Sequence, residues 1–281
     1  MTEKIAWVTD STTFLDEELK DHPDVFVIPM MVFVEGKEYL DGVDIHPKDL
    51  FALMEEKKAV PKTSQPSVGT FYELYKKLEE SYDRIFSFHV SSFLSGTVSS
   101  SQQAAQMVNI PVHTIDTLIL SYPISFLMKK AMKWLAEGIS TEETLGKIDE
   151  MKQKNETYVL IGDLVQLHRS GRMNGVQYFL GSMLNVKPII SIEAGKLSSK
   201  EKVRSEKQAQ KKIFSYLQRA ISEGEVKECM ILYGNDESQT TEWYEELTSL
   251  YPNIYFHKCA LGTAIGVHAG GNTLGISWYN E

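Results

Sequence analysis

Arg84 to Val108 reads RIFSFHVSSFLSGTVSSSQQAAQMV. The first seven residues, RIFSFHV, are apolar and aromatic, the composition of a buried strand. The stretch from Ser95 onward, SGTVSSSQQAAQMV, has the composition of a helix. Across their junction runs a corner rich in hydroxyls, SSFLSGTVSSS, Ser91 to Ser101. Such a corner at the end of a strand can be a helix cap, a nucleophile elbow or a seat for an anion.

The strand-then-helix order recurs on both sides. Upstream, KIAWVT reads as a strand, and DSTTFLDEEL carries the capping residues that start a helix. VFVIPMMVFVEGKEYL is rich in strand formers, with Pro29 marking an edge or a bend. HPKDLFALMEEKK places Pro47 in a first helical turn, and PSVGTFYELYKKLEES is a helix entered through Pro66 and Ser67. Downstream come a strand PVHTID, a long helix closed by Gly138, a helix opened by the capping box Ser140 to Glu143, and a strand TYVLIGD. This alternation predicts a parallel sheet flanked by helices, in which ligands sit beyond the carboxyl ends of the strands. The serine corner occupies that kind of position. Further on the order changes. Two strand-like runs flank Ala194-Gly195, a hairpin signal. A long helix, a strand, a helix, a strand, a glycine-rich segment and a last strand follow. The fold class expected is α/β: an N-terminal parallel-sheet α/β domain over 1–157 and a C-terminal α+β domain over 158–281.

Composition narrows the function. The 281 residues are 42% hydrophobic and 24% charged, with a formal net charge of -9. An acidic chain repels phosphate backbones, so nucleic acid is not an expected partner. Cys229 and Cys259 make no metal-ligand spacing and read as buried thiols in a reducing compartment. No apolar run approaches the roughly 20 residues of a membrane span, and the N-terminus has no apolar leader. The expected location is the cytoplasm, with only transient membrane contact. No His, Asp or Glu pattern predicts a metal, and no phosphate-binding glycine loop of the G-x-x-x-x-G-K type occurs. No cofactor is expected.

Four stretches carry candidate chemistry. In the corner, Ser95 is followed by Gly96 but has no glycine two residues before it, so the nucleophile-elbow pattern is half made. As a helix start, the corner leaves free N–H groups that attract an anion, or it is simply a capped turn. KTSQPS, Lys62 to Ser67, reads as a second hydroxyl-rich loop ahead of a helix. Thr63 and Ser95 can each donate a hydrogen bond to a carboxylate. HRSGRMNG, His168 to Gly175, and Arg204 after the hairpin are surface cations taken singly; together they make an arginine patch for phosphate or an acidic partner. LGTAIGVHAGGNTLG reads as a glycine-rich loop in which His268 is a structural residue or a titrating one.

The order VTDST, KTSQPS, SSFLSGT, SGRM, KPI, an arginine after the hairpin and GVHAGG resembles the DegV family, whose members include the fatty-acid-binding subunits of bacterial fatty acid kinase. The resemblance covers essentially the whole chain. It implies two domains with a lipid tunnel between them, a bound long-chain fatty acid as ligand, and a fatty acid kinase catalytic subunit as partner. It implies that the chain is not catalytic alone and supplies phospholipid precursors. Thr63 and Ser95 would hold the carboxylate, with Gly96, Arg172, Arg204 and His268 serving the head group, phosphoryl transfer or the partner surface. The chain departs from the family's usual G-G-R-I at Ser170–Met173 and from H-x-G-P-G at His268–Asn272. The alternative reading is a serine-dependent hydrolase or acyltransferase using Ser95 and His268; a third is a regulatory binding module.

Overall fold

The computed structural model of the chain describes residues 3–57, 60–173, 176, 187–224 and 226–281. The chain forms two compact units, Met1–Thr144 with Gly262–Ala264, and Leu145–Leu261 with Ile265–Glu281.

The first unit contains β1 (Ile5–Asp10), α1 (Glu17–Lys20), β2 (Val25–Ile28), β3 (Met31–Val34), β4 (Lys37–Leu40), α2 (Pro47–Lys57), β5 (Lys62–Ser64), α3 (Val68–Leu78), β6 (Arg84–His89), α4 (Thr97–Ala105), β7 (Val112–Asp116), α5 (Tyr122–Ala136) and the start of α6 (Thr141–Met151). Four strands form a parallel sheet in the order β2-β1-β6-β7. Both faces of β1 and β6 are buried, which is why they read as apolar runs rather than as alternating ones. Trp7 stacks on Phe86 at 5.1 Å on one face. On the other, Ala6, Val8 and Ile85 pack under Phe71 and Tyr75 of α3 and Ala104 of α4. Each large apolar side chain buried there contributes roughly 1.5–3 kcal/mol. Pro29 separates β2 from β3, and the chain leaves the parallel sheet to form a small antiparallel one, β4-β3-β5. KTSQPS is therefore not all loop: Lys62–Ser64 is a strand, with Thr63 opposite Val32.

The second unit contains β8 (Asn155–Leu160), α7 (Leu164–Arg169), β9 (Lys187–Glu193), β10 (Lys196–Val203), α8 (Glu206–Glu223), β11 (Glu228–Tyr233), α9 (Thr241–Leu250), β12 (Tyr255–Ala260), α10 (Gly262–Ala269, its first three residues grouped with the first unit) and β13 (Leu274–Tyr279). Its six-stranded sheet runs β10-β9-β8-β13-β11-β12 and is mixed, parallel only between β11 and β12. The β9–β10 hairpin turns at Ala194 and Gly195, both at positive φ (47° and 84°), the twist a two-residue hairpin needs. Ala209, Ile213, Leu217 and Ala220 line one face of α8 at helical spacing and pack with Ile276, Trp278 and Trp243. Among the described residues, no helix is long and apolar enough to cross a membrane.

Candidate functional site

In the parallel sheet, the chain runs from β1 to β2 on one side and to β6 on the other. The crevice beyond the carboxyl ends of β1 and β6 is therefore the switch point at which such sheets take ligands. Two connections leave these ends, Ser11–Thr13 after β1 and Val90–Gly96 after β6, and a third, Thr117–Ser121, leaves the same end of neighbouring β7.

Most hydroxyls in these connections are committed internally. Ser11 donates to Asp41 at 2.8 Å, Thr12 to Asp10 at 2.5 Å, and Thr13 pairs with Thr9 at 2.6 Å. Thr117 donates to the His89 carbonyl at 2.8 Å. Asp41 also accepts the Ala264 amide at 3.2 Å, and burial pushes its carboxyl above the usual range. The corner after β6 is wound around fully buried Ser91, whose carbonyl accepts the Leu94 and Ser95 amides at 2.9 and 3.1 Å. Ser95 differs from its neighbours. Its half-buried hydroxyl pairs with Thr97 Oγ1 at 2.8 Å, and among the described residues the other partner of the Thr97 hydroxyl is the Met30 sulfur, to which it donates at 3.7 Å. A thioether is a weak acceptor. When Thr97 donates to Ser95, the Ser95 proton is available to a ligand.

The residue capping α4 is Gly96, not a serine, and it makes no side-chain cap. The first turn of α4 contains no acidic residue, so its N–H groups and dipole favour an anion. Gly96 has a second use. A Cβ there would lie 2.8 Å from Gln65 Nε2, so glycine lets the amide of Gln65 close on the corner. Gln65 follows β5 directly, two residues after half-buried Thr63. The structure thus brings the β5 segment to the corner, and it adds Gln65 and Thr97 to the residues expected there.

The expected residues of the second unit are differently placed. Arg204 is exposed in the link from β10 to α8, and its amide donates to Gln208 Oε1 at 3.0 Å. Arg172 is half-buried just beyond α7, with Nη1 donating to the Ser170 carbonyl at 2.6 Å. Burial lowers its pKa, though a guanidinium stays protonated. Asn174 and Gly175, which end the HRSGRMNG motif, lie outside the described residues. His268 is in no loop: it occupies the last turn of α10. Burial, with a smaller contribution from the Arg172 charge, pulls its pKa down to about 3. With that shift it is a neutral imidazole near pH 7. Gly270 at φ 83° ends the helix, and its amide donates to the Gly266 carbonyl at 2.9 Å.

A cleft of about 770 Å³ in the second unit is lined by charges of both signs, including Asp163, Lys187, Glu206 and Lys207; Arg172, Arg204 and His268 are not among its walls. Among the described residues, no group of three or more His, Cys, Asp and Glu side chains is placed to hold a metal ion.

The family model described as "Uncharacterised protein, DegV family" matches residues 4–281. Protein DegV of Bacillus subtilis is 34% identical over 276 residues, 98% of each chain. The crystal structure of DegV, a fatty acid binding protein from Bacillus subtilis, superposes with a TM-score of 0.90 at 32% identity, covering 99% of this chain and 100% of that one. A fatty-acid-binding DegV family protein from Thermus thermophilus gives the same TM-score of 0.90 at 33% identity, with 99% and 100% covered.

Proposed function

The chain belongs to the DegV family, and from that premise we propose that it is a fatty-acid carrier: it buries one long-chain fatty acid and presents the carboxylate to a partner kinase for ATP-dependent acyl-phosphate formation. The observation that carries this reading is the Ser95–Thr97 pair at the start of α4. Either hydroxyl can donate within the pair, and when Thr97 turns from the Met30 sulfur to Ser95, the Ser95 proton is presented at a helix N-terminus free of acidic residues, at the switch point of a parallel sheet. Thr63 supplies the second hydroxyl from β5, and Gln65 closes beside it against Gly96. The fatty-acid-binding relatives of known structure support the ligand class.

The tail dominates affinity. At about 0.8 kcal/mol per buried methylene, roughly 15 methylenes give about 12 kcal/mol before the costs of association. The head-group bonds then decide orientation, which matters to a carrier whose cargo must be phosphorylated at one end. An acyl phosphate bears more negative charge than a carboxylate. Arg172 suits stabilisation of that developing charge, and exposed Arg204 suits docking of the kinase. His268, being neutral, serves as a hydrogen-bonding group rather than as a counter-charge. The chain supplies no ATP cradle of its own and acts with its kinase.

Ser95→Ala tests this directly. Loss of a hydrogen bond to a charged acceptor costs about 1.5–3 kcal/mol, or roughly tenfold to over a hundredfold in affinity. Palmitate binding is expected to weaken by that amount while hexadecanol binding stays nearly constant. Equal losses for acid and alcohol would remove Ser95 from the head-group site.

A further inference from the structure

The polar groups buried behind the corner form one continuous chain. Asp10, the last residue of β1, is fully buried, and among the described residues its oxygens have four polar partner atoms. Oδ1 accepts the Thr12 amide at 3.1 Å and Thr12 Oγ1 at 2.5 Å; Oδ2 accepts the Val90 amide at 3.1 Å and lies 3.0 Å from His89 Nδ1. From His89 the chain continues through Nε2 to Ser87 Oγ at 2.6 Å and on to Tyr75 OH at 2.7 Å. It then reaches Ser101 Oγ at 2.7 Å and Thr114 Oγ1 at 2.7 Å. With Nδ1–H donated to Asp10, every link has its donor: Thr114 to Ser101, Ser101 to Tyr75, Tyr75 to Ser87, Ser87 to His89. Phe71 closes edge-on over the imidazole at 5.1 Å.

Such a network is an expensive way to hold a sheet together. A fully buried Asp–His pair is often no better for stability than apolar side chains of the same volume. What a hydrogen-bonded chain adds is fixed spacing between the elements it joins. Those elements are the ones that carry the candidate head-group site. Asp10 grips Val90, where the corner begins. Ser101 sits on α4, whose first turn follows Ser95. Tyr75 sits on α3, the helix that follows Thr63 and Gln65. The chain therefore ties both ends of the corner, and the helix after the second hydroxyl segment, to the end of β1.

Resting on the fatty-acid reading of this site, we propose that Asp10, His89 and Tyr75 are positioning residues for carboxylate recognition: their chain sets the spacing of the Ser95 and Thr63 segments, so that two hydroxyls converge on one head group.

Tyr75→Phe keeps the ring and breaks the chain at its middle; Ser101→Ala breaks the next link and covers the case in which Tyr75→Phe folds poorly. Dissociation constants for palmitate and hexadecanol are measured for both variants and, in parallel, for Ser95→Ala. The ratio of the two affinities is the readout, because general loosening of the fold lowers both together. The expected result is a fall of about tenfold in preference for the acid, with alcohol binding nearly unchanged. A fall for Ser95→Ala, with no change of preference in either chain-breaking variant, overturns the positioning role and leaves the head-group site intact. No change even for Ser95→Ala overturns the head-group site, and the positioning role with it.

Discussion

Gly96 in the first unit and Gly234 in the second each follow a strand of their sheet, and a Cβ would collide at either, but with different things. At Gly96 it would meet the far end of the Gln65 side chain at 2.8 Å. At Gly234 it would meet the Gly271 carbonyl oxygen at 2.4 Å, with that residue's carbonyl carbon 2.8 Å away. The first glycine makes room for a functional group. The second lets two backbone segments touch, and the Gly234 and Asn235 amides bond across that contact to the Thr273 and Gly271 carbonyls, both at 2.9 Å. The same contrast runs through the surroundings. Behind the corner, Asp10, His89 and a file of hydroxyls are buried and mutually bonded. In the glycine segment of the second unit, His268 is a half-buried neutral group on a short helix. One region is held by side-chain hydrogen bonds; the other is held by backbone contact.

Mutations can break this contrast from either side. The largest effect is expected for Asp10→Ala, which leaves the His89 ring, two amides and the Thr12 hydroxyl without their acceptor. Removing one partner of such a buried cluster costs about 3–5 kcal/mol, to be read from denaturant unfolding. Gly234→Ala forces backbone apart and is expected to cost about 1–3 kcal/mol, with no change in the preference for acid over alcohol. A changed preference would place the glycine segment in ligand recognition and dissolve the distinction.

His268 gives a pH test. Its folded pKa lies near 3, below the ordinary 6.5. Below pH 6.5 the unfolded chain binds a proton that the folded chain does not. The stability held above that value is therefore lost as pH falls toward 3, by up to about 1.4 kcal/mol per pH unit. His268→Gln is expected to flatten the acid side of the stability curve; an unchanged slope between pH 6 and pH 4 would mean that the imidazole titrates normally. The smallest effect on stability is expected for Gly96→Ala, within about 0.5 kcal/mol because Gln65 can swing aside. The displaced amide should still weaken palmitate binding, measured by titration.

Much of this was legible in the order of residues. The parallel sheet follows from RIFSFHV and KIAWVT, whose unbroken apolar runs suit strands buried on both faces. Ala194-Gly195 marks its hairpin because glycine accepts the positive φ found there. The corner stands out because hydroxyls collect at one strand end. Thr63 reads as loop in the sequence because a three-residue strand is too short to show alternation. Helix α10 was hidden by its own glycines, Gly262 and Gly266, which lower helix propensity; only packing makes GTAIGVHA helical. The neutrality of His268 is a matter of burial, which no neighbouring residue announces. Asp10 and His89 lie 79 residues apart, so a single sequence does not pair them, and Gln65 sits within KTSQPS, where the hydroxyls carry the signal.

As the proposed carrier, this chain holds a fatty acid non-covalently. Native mass spectrometry of the gently purified protein tests it most directly. The predicted result is a species heavier than the bare chain by the mass of one long-chain fatty acid, which disappears on denaturation and is depleted in Ser95→Ala. A native mass equal to that of the chain alone, after incubation with palmitate, would contradict the account, as would an added acyl mass that survives denaturation and maps to a serine.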